Sequence, residues 1–162
     1  MQTPIWPRAD RPVQRTIYRT AVRPELGDYN GHLNVAGYAQ LFDEATAVFL
    51  GGIDVGEAYA RRAAHSTFVL EAHVRHLAEV LVGEEVEVET LMMGHDRKRL
   101  LYLHVMRRVG HDGVVAAQEQ LSIHVSLSTR RSCDWPPEAV AMMGAPLPVD
   151  PALLSARLAL RP

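Results

Sequence analysis

Apolar and polar positions change period along the chain, and the changes mark out its elements. Thr16 to Val22 ("TIYRTAV") is rich in β-branched and aromatic residues and predicts a strand. Pro24, Gly27 and the Asn30-Gly31 pair in "RPELGDYNG" then predict turns. In "NVAGYAQLFDEATAVFL", Tyr38, Leu41, Phe42, Ala45, Val48 and Phe49 recur at helical spacing, with Gln40, Asp43 and Glu44 on another face. Asn34 suits the N-cap of that helix and Gly51-Gly52 its stop. A short second helix is expected over Val55 to Arg62.

Beyond this point the period becomes two. "TFVLEAHVRHLAEV" is one strand candidate, and "EEVEVETLMM" sets Glu85, Glu87 and Glu89 against Val86, Val88 and Thr90, as a sheet with one wet face requires. "GHDRKR" turns into "LLYLHVMRRV", and His111 to Gly113 ("HDG") predicts a hairpin turn into "VVAAQEQLSIHVSL". In that last strand Leu121, Ile123 and Val125 share one face, and Ser122, His124 and Ser126 the other. One strand, a long helix and about four antiparallel strands make an α+β fold, with the apolar helix lying against the sheet. Prolines crowd both ends, so residues 1–15 are expected to be irregular, 16–127 to form the domain, and 128–162 to be a C-terminal extension packing on it.

Bulk composition narrows the function classes. At 162 residues the chain fits one domain, and its 48% hydrophobic and 22% charged content is ordinary for a globular protein. A net charge of −2 gives no global attraction to nucleic acid or to an anionic membrane. The single cysteine, Cys133, excludes an internal disulfide framework and suits a reducing cytoplasm. "MQTPIWPRADRPVQR" lacks the apolar core of a signal peptide, and no apolar run approaches the ~20 residues needed to span a bilayer. The expectation is a cytoplasmic protein with neither nucleic-acid nor membrane partners.

The densest chemistry lies in "GDYNGHLN", Gly27 to Asn34. Asp28 admits two readings. As a turn aspartate it would hydrogen-bond its own backbone. As a functional group it would stand just upstream of a helix N-terminus, where the free amides of Val35 and Ala36 could hold an oxyanion, and would act as nucleophile or as base for water. His32 is equally open between satisfying the backbone and serving a site. Glu71 is either an edge residue or a pocket acid. Arg97, Lys98 and Arg99 form either a solvated turn or a contact for the phosphates of a nucleotide-like ligand. No metal site is expected: His73 and His76 would face opposite sides of a strand, and the chain has neither an H-E-x-x-H pattern nor a cysteine pair.

Over roughly Thr16 to Leu127 the chain resembles the hot-dog acyl-CoA thioesterases of the 4-hydroxybenzoyl-CoA thioesterase type. "GDYNGHLNVAGYAQLFDEA" is similar to that family's pattern of Asp, three residues, His, a hydrophobic residue, Asn and a Tyr-bearing helix. "VRHLAEVLVGEEVEVET", "GHDRKRLLYLHVMRR" and "VVAAQEQLSIHVSL" match the strands that follow. The resemblance implies an antiparallel sheet wrapped around a long helix, a homodimer or dimer of dimers with sites at the subunit interface, and hydrolysis of an acyl-CoA without a cofactor. It implies Asp28 as the catalytic carboxylate, the Val35 amide in the oxyanion role, and His32, Asn34 and Tyr38 shaping the site. The family's second Asn is Val35 here, His76 stands where many relatives have Tyr, and Ala78-Glu79 replaces a common Pro-Ala. "LEAH", "DRKRL" and "AAQEQ" look most like the branch containing betainyl-CoA thioesterases of carnitine breakdown, whose trimethylammonium group could meet Glu71, Tyr38 or Tyr102. Two other activities share the fold. The (R)-specific enoyl-CoA hydratase has its His five residues after the Asp, against four here. A non-catalytic acyl-CoA-binding protein would need no reactive Asp28.

Overall fold

The computed structural model describes residues 12–155 and 157–160. Strand β1 (Arg15–Ala21) leads through a 3₁₀ turn (Pro24–Leu26) to helix α1 (Val35–Gly52), and helix α2 (Glu57–Ala63) follows. Strands β2 (His65–His76), β3 (Glu85–His95), β4 (Arg99–Arg108) and β5 (Val114–Ser126) come next, then a two-residue β6 (Arg131–Ser132) and helix α3 (Pro137–Met142). The sheet is antiparallel in the order β1-β3-β4-β5-β2, with β6 paired to β5. The expected long helix held against an antiparallel sheet is the architecture found. Of the segment expected to be irregular, residues 1–11 lie outside the described residues, and Val13 bridges Met143.

α1 forms where the helical spacing predicts it because its apolar stripe has a sheet to cover. Leu41, Phe42 and Ala45 are fully buried against Val86, Val88 and Met106, and Phe49 packs with Met92, Leu100 and Tyr102. The solvent side of the helix is tied to β1 through Glu44, which accepts from Arg23 Nη2 at 2.6 Å and from the Tyr18 hydroxyl. Asn34 caps the helix as expected, its Oδ1 accepting from the Gly37 amide at 2.7 Å.

One sequence expectation needs correction. The strand read from "TFVLEAHVRHLAEV" ends at His76, because the backbone then leaves the sheet to pair with the loop before α1: Leu33 N–H donates to Val80 O at 2.7 Å, and His32 bridges Leu81. On the polar face of β5, Ser122 and His124 are 1% exposed and lie on the helix side, satisfied by Tyr102 and by Tyr59. Their bonding partners sit on other elements, so alternation alone does not say which face is buried.

The opposite face of the sheet is buried too. Leu101, Leu103, Val105, Ala117 and Leu121 are covered by Leu153, Leu154, Leu158 and neighbours from the C-terminal segment. β2, by contrast, is an outer strand of the sheet, and its apolar side chains Phe68, Val69, Leu70 and Val74 are exposed.

Gly37 sets how closely α1 seats on the preceding loop. A Cβ there would stand 2.5 Å from Leu33 Cδ1 and 2.8 Å from the Leu26 carbonyl oxygen, and that oxygen already accepts from Asn34 N–H at 2.9 Å. Gly37→Ala is therefore expected to destabilise the fold by about 1–3 kcal/mol, despite alanine's better helix propensity. A denaturant midpoint equal to wild type would contradict this seating.

Candidate active site

The loop Gly27–Asn34 folds back on itself into a tight polar turn. Asp28 N–H donates to His32 O at 2.8 Å and Gly31 N–H to Asp28 O at 3.0 Å, while Gly31 takes φ 77°, a left-handed conformation that glycine tolerates. The Asp28 carboxylate stays exposed, and its Oδ1 accepts from the amides of Asn30 at 2.8 Å and His32 at 3.2 Å. The Asn30 amide first, and the His32 amide after it, hold the carboxyl below its ordinary range, so Asp28 is an anion at neutral pH. Both amides use Oδ1, which leaves Oδ2 as the oxygen not engaged by the backbone. The turn reading of Asp28 thus describes its conformation without using up the group.

A groove of about 730 Å³ opens beside this turn. One wall is the start of α1, lined by Asn34, Val35 and Ala36; the other is Tyr38 with the chain from His76 to Glu79. Asn34 Nδ2 donates to Gly27 O at 3.1 Å while its Oδ1 caps Gly37, so one side chain joins loop and helix. The first two helical amides, Val35 and Ala36, donate to no protein partner among the described residues, and Val35 is 74% exposed. Free N–H groups at the positive end of an 18-residue helix are suited to a developing oxyanion. The valine in place of a second Asn leaves that backbone donor untouched.

The remaining expected site residues divide. His32 lines the groove, but its Nε2 lies 3.1 Å from Glu79 Oε2, and it meets Asp28 only through its backbone amide. Tyr38 lines the groove with its hydroxyl donating to Ala78 O at 3.2 Å and its ring edge-on to His76 at 4.7 Å. Glu71 is elsewhere: it pairs with Leu121, whose side chain packs with Leu158 on the face away from α1. Tyr102 is fully buried with its hydroxyl bonded to Ser122 and Gln120, and it does not line the groove.

The basic turn is also remote within one chain. Arg99 pairs with Ile123 and His76 with Ala116, positions seven residues apart on β5, or roughly 23 Å. Arg97 faces Asp134 at 3.5 Å and Arg99 faces Asp96 at 2.5 Å, while the Lys98 ammonium has no ion pair among the described residues. His76, Ala78 and Glu79 are groove residues that sequence reasoning did not assign to a site. They lie in a run read as a strand, and nothing in that run signals that the chain turns at His76 towards the helix.

Residues 22–143 match the family described as the thioesterase-like superfamily. The chain belongs to that family. A betainyl-CoA thioesterase from Pseudomonas aeruginosa is 41% identical over 130 residues, covering 80% of this chain and 82% of the relative. An L-carnitine dehydrogenase/betainyl-CoA thioesterase from Agrobacterium fabrum is 37% identical over 131 residues; these cover 80% of this chain but 26% of that protein, so the chain spans about a quarter of that relative's length. Among solved structures, a proposed thioesterase from Pseudomonas putida superposes with a TM-score of 0.72 at 34% identity, covering 93% of this chain and 99% of that one. A Staphylococcus aureus protein solved in complex with CoA shares the fold with a TM-score of 0.79 at 22% identity, covering 94% and 99%. The hot-dog fold expected from the resemblance is thus the fold of this thioesterase. Acyl-CoA thioester hydrolysis is the activity that the family and these relatives support.

Proposed function

We propose that this thioesterase hydrolyses a short, polar acyl-CoA, betainyl-CoA foremost, within carnitine breakdown. The observation that carries the reading is the meeting of an ionised Asp28 with the free amides of Val35 and Ala36 in one groove. The thioester carbonyl points its oxygen at those amides. Asp28, or a water it deprotonates, attacks the carbonyl carbon; the helix N-terminus holds the tetrahedral oxyanion; and the thiolate of coenzyme A leaves. Attack by Asp28 itself gives an acyl anhydride that water then cleaves; ¹⁸O found in Asp28 after a single turnover in ¹⁸O-water supports this route, since the general-base route places the label only in the product acid. His32, Asn34 and Tyr38 shape the groove, and neither metal nor organic cofactor takes part.

The reading includes a homodimer. The exposed apolar residues of β2 call for cover, and two copies joined edge to edge along β2 in antiparallel sense bring opposite ends of the sheet together. Arg97, Lys98 and Arg99 of one copy then approach the groove of the other, with Lys98 the cation freest to meet a CoA phosphate. The C-terminal cover over the opposite face argues for a dimer rather than a dimer of dimers through that face. The single cysteine supports a cytoplasmic setting.

A panel of acyl-CoAs with free thiol as readout tests the proposal. Betainyl-CoA is expected to give the highest kcat/KM, and betainyl-CoA turnover no faster than that of acetyl-CoA would sink the substrate assignment. The hydratase alternative needs Asp and His on one water. The His32 ring is turned to Glu79 instead, so crotonyl-CoA is expected to remain unhydrated.

A further inference from the structure

The groove carries a charge asymmetry that thioester hydrolysis alone does not require. Asp28 and Glu79 are its carboxylates, and among the described residues no lysine or arginine lines it. Asp28 is accounted for by attack on the carbonyl; Glu79 is not. The Glu79 carboxylate lies 3.1 Å from His32 Nε2, and the amide of the same histidine donates to Asp28 Oδ1 at 3.2 Å, so His32 links the two acids. The Glu79 side chain remains 62% exposed, which leaves the carboxylate an open side. Arg108 reaches the Glu79 carbonyl oxygen, but its charge is matched by Glu84 at 3.1 Å. Beside Glu79 the wall is formed by Leu77 and the His76 ring, which offer surface without positive side-chain charge from lysine or arginine.

From this arrangement we infer that Glu79 is the specificity residue for the acyl group, selecting acyl chains that carry a fixed positive charge close to the carbonyl. A quaternary ammonium cannot donate a hydrogen bond, so only unlike charge and apolar contact can recognise it. Glu79 supplies the first, and Leu77 with His76 the second. His32 positions the carboxylate with its ring and holds Asp28 with its backbone amide, so the charged end of the acyl group and the reacting carbonyl are registered by one residue. The inference rests on the reading of this groove as the site of thioester hydrolysis.

The test compares betainyl-CoA with 3,3-dimethylbutyryl-CoA, its neutral isostere in which carbon replaces the ammonium nitrogen. In the full-length wild-type enzyme kcat/KM is expected to favour the charged substrate. Glu79→Gln is expected to cut that preference about three- to fivefold, mainly through KM for the charged substrate, a size set by a largely exposed charge pair. Glu79→Lys is expected to reverse it. Raising ionic strength is expected to weaken the preference in wild type and to leave the Glu79→Gln ratio nearly flat. Because shape is common to both substrates, a purely structural role for Glu79 would move both rates together and leave the ratio alone. An unchanged ratio in Glu79→Gln, or no preference in wild type, overturns the assignment while leaving the hydrolase reading intact. Failure of wild type to cleave either thioester overturns both.

Discussion

Asp28→Asn is expected to lower kcat for thiol release by roughly 10³-fold while leaving the fold intact. Asparagine keeps an Oδ1 that can still accept from the Asn30 and His32 amides, so the turn that presents residue 28 survives the change. The side chain is exposed, so no buried contact is lost. What disappears is the negative charge, and with it either the nucleophile or the base. Circular dichroism and a denaturant melt matching wild type, together with thiol release slowed by roughly 10³-fold, are the expected pair of results. Full activity in this variant would move the reaction elsewhere. The nearest alternative would be a His32 base oriented by Glu79.

Stability is expected to fall with acid, and His104 is the main reason. Its ring is fully buried between α1 and the sheet, and burial pulls its pKa down to about 3. Thr46 donates its hydroxyl hydrogen to Phe42 O, so it must accept from His104 Nε2 at 2.9 Å; Nδ1 then accepts from Thr90 at 2.8 Å. The folded protein therefore holds the neutral Nε2–H tautomer, whereas the unfolded chain protonates near the ordinary value of about 6.5. The folded value lies below the unfolded one, so the stability from keeping His104 neutral is fully present above about pH 6.5 and is lost as pH falls towards 3. In that window one such histidine costs about 1.4 kcal/mol per pH unit, and the buried His124, also lowered by burial, adds to the loss. Denaturant midpoints at about pH 6.5 and pH 5 should differ by roughly 1.5 kcal/mol on account of His104, a difference that His104→Gln removes. A ring resonance of His104 that titrates near 6.5 in the folded protein would refute this account.

Local pattern alone specifies the elements and the identity of the reactive loop. The spacing of Tyr38, Leu41, Phe42, Ala45 and Phe49 demands a helix with one buried stripe, and the alternation in "EEVEVET" demands a strand. Asn34 and the Asn-Gly turn are local signals whose physics lies within a few residues, so they are legible without a fold. Asp28 was legible as a candidate for the same reason, through its nearness in sequence to the helix start.

Which other side chains share the groove is set by long-range packing. His76 and Glu79 reach it because the chain leaves the sheet after His76 and pairs with Leu33, forty-odd residues away in sequence; that pairing depends on how closely Gly37 lets α1 approach, which no local pattern encodes. Glu71 misses the groove because a bulge between Val69 and Glu71 and the pairing with Leu121 set its face, and register is a property of two strands rather than one. The polar residues of β5 are buried for a related reason. His124 and Ser122 need partners to leave water, and Tyr59 and Tyr102 become partners only once α2 and β4 are packed beside them. Local pattern specifies elements through the chain's own periodicity; faces, registers and long-range neighbours are settled by packing, where the site is completed.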